Sequence, residues 1–255
     1  MLTYLEAKPP AAVRSRGTLL LLHAFPLNSR MWEPQMAFAD RGWRVIAPDL
    51  FRAGASVTMD DFAGDVVDLL DGLHVDDAVV GGCSMGGYLA LALTRLAERY
   101  VRGLILVDTR AQADTAEAIE NRKKALKLVD EKGTPAIVED MTPKLLGETT
   151  KRTRLDVVER VRTIGLANAK ESVAGMVRAL MTRADSTPLL ATIRVPTLIV
   201  VGAEDTITPP ALSEQLHRAI AGSELVIVPG VGHLSSLEDP AAFNETVSKF
   251  LEHRL

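Results

Sequence analysis

Val79–Leu93 reads V-V-G-G-C-S-M-G-G-Y-L-A-L-A-L. A short apolar run, Ala78 to Val80, leads into Gly82-Cys83-Ser84-Met85-Gly86, after which Tyr88, Leu91 and Leu96 recur at helical spacing on one face. The pattern predicts a strand that turns into a helix within a residue or two, with Ser84 at the turn. So sharp a turn forces the serine into strained backbone angles and presses the chain before it against the chain after it. Glycine at 82 and at 86 removes the side chains that would collide. The hydroxyl is left at the tip of a sheet beside a helix N-terminus, whose free N–H groups and dipole favour negative charge. Ser84 is therefore a candidate nucleophile.

On either side of this stretch the chain alternates between strand and helix patterns. Residues 2–7 suit a short edge strand, and the continuous apolar run Leu19 to Leu22 suits a strand buried on both faces of a mostly parallel sheet. Asn28 or Ser29 caps a helix expected from about Trp32 to Asp40, Gly42 ends it, and Trp43 to Ala47 form the next strand. Asp60 is the expected N-cap of a helix through Leu70 whose inner face holds Phe62, Val66, Leu69 and Leu70. The helix after Ser84 is expected to reach Tyr100, and Gly103 to Val107 make a further buried strand. This alternation predicts a parallel sheet with crossover helices on both faces. From 114 to 190 no strand pattern occurs. Helical spacing is found at Ala118, Ala125, Leu126 and Val129 and again at Val157, Val161 and Ile164, with Pro135, Pro143 and Pro188 expected to divide the segment into three or four helices. Strand patterning resumes at Val195 to Val201, followed by a helix begun by Pro209, a strand Glu224 to Val228, and a helix from Pro240 to about Leu251. The expected organisation is an α/β core of residues 1–112 and 191–255 carrying an inserted helical lid, 113–190.

At 255 residues with 47% hydrophobic and 24% charged side chains, the chain has ample apolar surface for a packed core, which excludes a disordered protein. A net charge of −4 and the lack of any long Lys/Arg run argue against nucleic acid or an anionic membrane as partner. The single cysteine, Cys83, forbids an internal disulfide. With an N-terminus that lacks a basic start and apolar core, it suggests a cytoplasmic protein without a signal peptide. No metal-ligand spacing is present and the five histidines are scattered, so no metal or other cofactor is expected.

In open parallel sheets ligands bind beyond the C-terminal strand ends. The polar residues just after the apolar runs are His23, Asp49, Ser84, Asp108, Arg110, Asp205 and His233. A serine hydroxyl needs an imidazole to take its proton and a carboxylate to orient that imidazole. Asp205 follows the strand ending Val201-Gly202, and His233 follows the last strand through Pro229-Gly230-Val231-Gly232. Ser84, Asp205 and His233 thus occur in the order Ser, Asp, His known for serine nucleophiles on this kind of turn. Two backbone N–H donors are required for an oxyanion; Met85, directly after the nucleophile, and Phe25, in the loop His23-Ala24-Phe25-Pro26, are the candidates. His23 is expected to pack beneath the site.

His-Ala-Phe-Pro, Pro48-Asp49-Leu50, Gly82 to Gly87, Gly202-Ala203-Glu204-Asp205, and Gly230 to His233 followed by Glu238-x-Pro240-x-x-Phe243 together resemble the α/β-hydrolase superfamily over nearly the whole chain. Within it, the chain is similar to 3-oxoadipate enol-lactonases and small single-lid carboxylesterases. Two departures stand out: Ala24 where glycine is usual, and Phe51-Arg52-Ala53-Gly54 in place of Arg-Gly-x-Gly. The resemblance implies an α/β-hydrolase fold and a serine hydrolase cleaving a small carboxylic ester or lactone through an acyl-enzyme. A serine at 84 disfavours the dehalogenase and epoxide-hydrolase chemistries of relatives with an aspartate nucleophile. Asp108 is the rival acid, since some relatives place the carboxylate after that strand. Arg110 is a candidate clamp for a substrate carboxylate, such as an enol-lactone acid carries, or else pairs with a lid carboxylate. Trp32, Met31, Leu27, Met85 and Met141 either line an apolar acyl pocket or pack the core and lid. Cys83 is expected to point inward. The expected partner is a small-molecule ester or lactone, on a monomer or homodimer. The competing function is a small-molecule receptor or signalling protein on the same scaffold with slow or no turnover.

Overall fold

A computed structural model of the chain describes residues 2–255. The elements in order are β1 (Tyr4–Ala7), β2 (Gly17–Leu22), a 3-10 helix (Ser29–Arg41), β3 (Trp43–Pro48), α1 (Met59–Gly72), β4 (Ala78–Cys83), α2 (Met85–Leu96), a 3-10 turn (Glu98–Tyr100) and β5 (Val101–Val107). They continue with α3 (Ala116–Leu145), α4 (Glu148–Thr153), α5 (Leu155–Leu166), α6 (Lys170–Met181), α7 (Thr187–Leu190), β6 (Thr197–Gly202), α8 (Pro210–Ala219), β7 (Glu224–Val228), α9 (Ser235–Glu238) and α10 (Pro240–Arg254). Among the described residues the sheet has seven strands in the order β1-β3-β2-β4-β5-β6-β7, with β1 antiparallel to β3 at the edge and the other pairs parallel.

The apolar runs explain the layering. Along a strand, side chains alternate between faces. Leu20, Leu22, Ile46, Val80, Leu104, Leu106 and Ile199 lie in one core with the inner faces of α1, α2 and α6. Leu19, Leu21, Val45, Val79, Ile105, Val107, Leu198 and Val200 lie in the other, against Met31, Trp32 and Phe38 of the 3-10 helix and Phe243, Val247 and Phe250 of α10. Neither face has a wet side, which is why these strands are continuously apolar. From β2 the chain first pairs outward to β3, then returns to pair β4 on β2's other side. The connections therefore diverge at the C-terminal ends of β2 and β4, where a parallel sheet opens a crevice.

Several boundaries differ from expectation. Thr58, not Asp60, caps α1: its hydroxyl accepts the Asp61 N–H while the Asp61 carboxylate accepts the Thr58 N–H, a reciprocal box that satisfies two otherwise orphaned donors. The 29–41 segment winds as a 3-10 helix with Asn28 as its cap and Gly42 ending it at φ 92°. α2 stops at Leu96, and its residues from Met85 to Thr94 are all buried, so Tyr88, Leu91 and Leu96 do not mark a single apolar stripe; Leu96 is half exposed. Within 113–190, Pro135 and Pro143 do not divide α3. The break falls at Gly133, whose φ of 74° and ψ of −175° end one helical arm, and Pro135 then sits in the first turn of the next, where its missing N–H has no bond to lose. Later ends at Leu146, Arg154, Ala167 and Thr182 carry no proline, so the segment has more helices than the prolines suggest. The segment is fastened tightly to the rest: a Cβ on Gly175 of α6 would come within 2.1 Å of the Arg52 carbonyl oxygen.

Candidate active site

Ser84 stands between β4 and α2 at φ 52°, ψ −110°, a backbone conformation that L-residues avoid. The close approaches that hold it there are legible atom by atom. A Cβ on Gly82 would lie 2.1 Å from the Gly86 carbonyl oxygen, and one on Gly86 would lie 2.0 Å from that of Leu22 in β2. The Ser84 carbonyl accepts the N–H groups of Gly87 and Tyr88 and the Thr109 hydroxyl, while its N–H donates to Val107. A methyl at 86 requires α2 and β2 to move apart, so Gly86→Ala is expected to lower Tm by roughly 2–12 °C; a variant with the parent's Tm would contradict this packing.

The strand ends bring Ser84, His233 and Asp205 together. The Ser84 Oγ lies 2.7 Å from His233 Nε2, and His233 Nδ1 lies 2.8 Å from Asp205 Oδ2. Asp205 and His233 are buried, while Ser84 keeps some exposure. The carboxylate is fixed by further donors: Ile207 and Thr208 N–H to Oδ1, and the Thr208 hydroxyl to Oδ2. Thr208 was not among the sequence candidates, yet a threonine three residues after an aspartate is a recognisable local signal, an Asx-type turn closed by both side chains. Burial alone would raise the Asp205 carboxyl, but the His233 charge and the His233 and Thr208 hydrogen bonds carry it below its ordinary value. For His233 burial works toward a lower pKa and is outweighed by Asp205, so the imidazole is raised above 6.5.

Asp108, the rival acid, does not touch His233. It sits at φ 45° with its Oδ1 on the Gly202 N–H and its Oδ2 on the N–H and hydroxyl of Ser235. Burial and the neighbouring Asp205 charge push its carboxyl up to about 7. It fastens the strand end before Asp205 to the helix after His233. His23 is fully buried; its Nε2 accepts the Leu50 N–H at 2.9 Å, so the proton resides on Nδ1, which donates to the Ala24 carbonyl. Burial lowers its pKa, so it holds its loop as a neutral imidazole. Asp49 accepts the Ser29 N–H and the Thr3 hydroxyl.

The loop with Phe25 is shaped by the Ala24 N–H donating to the Met31 sulfur, and by the Phe25–Pro26 peptide, which is cis. Met85 opens α2, so its N–H has no carbonyl one turn back within the helix. Trp32 is fully buried against Phe243, ring centroids 6.1 Å apart, and Leu27 and Met31 are buried in the same core. These three lie on the α10 side of the sheet because the 3-10 helix turns that face inward. Met141, on the second arm of α3, is partly buried and packs against both cores. Arg110 pairs with Asp114 at 2.9 Å, and the same carboxylate receives Arg122 at 3.2 Å and Arg183 at 2.7 Å. Arg183 in turn covers the Tyr88 ring at 3.9 Å. Cys83 points inward, its Sγ 3.6 Å from the His233 carbonyl, and burial pushes its thiol well up, which leaves it a poor nucleophile.

A parallel sheet buried by helices on both faces, with a strained serine at a strand-to-helix turn, defines an α/β-hydrolase fold. The alpha/beta hydrolase family matches residues 19–246, and the chain belongs to it. Among its relatives is 3-oxoadipate enol-lactonase 2 of Acinetobacter baylyi, 29% identical, with the alignment covering 93% of this chain and 89% of the relative. A thermophilic esterase from Thermogutta terrifontis superposes with a TM-score of 0.92 at 36% identity, covering 98% of this chain and 93% of that one. The enol-lactonase of Burkholderia xenovorans LB400 superposes with a TM-score of 0.88 at 26% identity, covering 99% and 96%.

Proposed function

We propose that this chain is a serine hydrolase that cleaves a small carboxylic ester or lactone through an acyl-enzyme. The observation that carries the reading is the unbroken hydrogen-bonded chain from Ser84 Oγ through both nitrogens of His233 to Asp205. In the acylation step Ser84 Oγ bonds to the substrate carbonyl carbon as His233 Nε2 takes its proton. Asp205 stabilises the resulting imidazolium, which returns the proton to the departing alkoxide. Water then repeats the sequence on the acyl-enzyme and releases the acid. The N–H groups of Met85 and Phe25 are assigned to the oxyanion. The enol-lactonase and esterase relatives support an ester or lactone as substrate class. Because Arg110 is bound to Asp114, a substrate carboxylate would have to displace that partner, so a neutral acyl chain is the first choice.

Steady-state hydrolysis of p-nitrophenyl esters of increasing acyl length, beside 3-oxoadipate enol-lactone and with Ser84→Ala as control, tests this. Rapid turnover that needs Ser84 is expected. A single slow burst with a retained adduct would instead favour a receptor. The pH dependence follows in sign: only neutral His233 can take the serine proton, and its pKa is raised, so kcat/KM should fall on the acid side with a midpoint above 6.5. A midpoint below that value would mean Asp205 does not govern the base.

A further inference from the structure

Glu238 is a buried carboxylate at the end of the four-residue α9, and its hydrogen bonds run to backbone N–H groups of two separate segments. Its Oε1 accepts from Gly232 at 2.9 Å and Leu234 at 3.1 Å, the residues on either side of His233. Its Oε2 accepts from Gly147 at 2.9 Å, in the arm that joins α3 to α4. The N–H left between, that of His233 itself, donates to the Leu145 carbonyl of the same arm. Backbone lies on backbone there: a Cβ on Gly147 would be 2.8 Å from the Gly232 nitrogen, and one on Gly232 would be 2.3 Å from the Gly147 nitrogen. Two residues on, the Thr149 N–H and hydroxyl both donate to Glu204, the neighbour of Asp205.

We propose that Glu238 is a positioning residue for the reaction: by clasping Gly147 to the turn that carries His233, it makes the seating of the 145–149 arm and the alignment of His233 on Ser84 a single event. The proposal rests on the serine hydrolase reading for its kinetic consequence and on geometry alone for its structural one. Each successive N–H from 232 to 234 is held either by Glu238 or by the arm, so lifting the arm unpairs the His233 N–H and takes from Glu238 the contact that ties this turn to Gly147. The 145–149 stretch is then a working part of the base rather than a flap over it. Sequence around Ser84, Asp205 and His233 carries no sign of this link, which joins positions 91 residues apart.

Glu238→Gln separates the two halves of the clasp. An amide keeps one acceptor oxygen, which satisfies the Gly232 and Leu234 pair, and turns its NH2 against the Gly147 N–H, donor against donor. Gly147→Ala lifts the same arm by steric contact while leaving the carboxylate intact. For both variants we would measure kcat and KM on the best p-nitrophenyl ester, the rate of Ser84 labelling by a fluorophosphonate, the low-field proton resonance of the His233 Nδ1–H shared with Asp205, and amide exchange at 147, 232 and 234. The expected result is a fall of about a hundredfold in kcat and in labelling rate with KM little changed, as for a reacting group displaced by about 1 Å. The low-field resonance should broaden or vanish as the Gly147 amide begins to exchange freely. A folded Glu238→Gln protein with a freely exchanging Gly147 but parental kcat and an unchanged resonance would overturn the proposal, since a purely structural role lowers Tm alone. If the parent neither turns over esters nor labels, the hydrolase reading fails by itself; loss of the resonance in the variants would still support the clasp, and its persistence would refute it.

Discussion

Ser84→Ala is expected to lower kcat by about 10⁶-fold while the protein still folds, because in the proposed mechanism the nucleophile and the base act as a unit and removing either removes nearly all of their joint effect. Ser84→Gly should be equally inactive but more stable. The parent backbone at 84 lies at φ 52°, ψ −110°, a conformation that costs a residue with a Cβ about 1–3 kcal/mol and glycine little. Against this stands the greater chain entropy that glycine loses on folding, about 0.5–1 kcal/mol. The net gain over Ser84→Ala is therefore of order 1 kcal/mol, which corresponds to roughly 2–4 °C in Tm for a chain of this size. Calorimetry of the two variants side by side reads it directly, with the lost hydroxyl common to both. A glycine variant no more stable than the alanine one would show that the turn is not strained.

The second large effect is expected at Asp205. Asp205→Asn should lower kcat by about 10⁴-fold with the fold intact. The cause is tautomeric: the carboxylate accepts the Nδ1 proton and leaves Nε2 free to receive the serine proton, whereas an amide turned to donate to Nδ1 places the ring proton on Nε2, facing Ser84 Oγ. The Thr208 hydroxyl, 3.1 Å from Nδ1, is no substitute, because it carries no charge. Nor can Asp108 take over, with its oxygens held by Gly202 and Ser235. With the Asp205 charge gone, the acid limb of kcat/KM should also move to lower pH, since that charge is what outweighs burial in raising His233. The parent Asp205 carboxyl is depressed on folding, so its contribution to stability is present above its unfolded pKa and lost as pH falls through the lower folded one. Urea titrations across that range should show a shallower acid loss in Asp205→Asn. Retention of a tenth or more of the parental kcat would remove Asp205 from the mechanism.

The features legible beforehand are those whose physics is local. An unbroken apolar run such as Leu19 to Leu22 has only one stable setting, between two helical layers, and a serine flanked by glycines two residues away on each side suits few turns. Asp205 and His233 could be read because each follows such a run, and a parallel sheet delivers all those positions to one edge. Cap and kink positions were less legible, since neighbours compete for them: Thr58 prevails over Asp60 because only it can exchange hydrogen bonds with Asp61, and Gly133 breaks α3 where Pro135 does not.

The sequence by itself determined the layered, mostly parallel sheet, the strained turn at Ser84 and the order in which Ser84, Asp205 and His233 reach the sheet edge, because runs, glycines and turn residues act over a few positions. Only the tertiary structure decided which partner each long or buried polar side chain takes: Arg110 with Asp114, Asp108 with Gly202 and Ser235, and Glu238 with Gly147. Those choices depend on which groups folding leaves buried within about 3 Å of one another and in need of a hydrogen bond, and no local pattern in the chain encodes that distance.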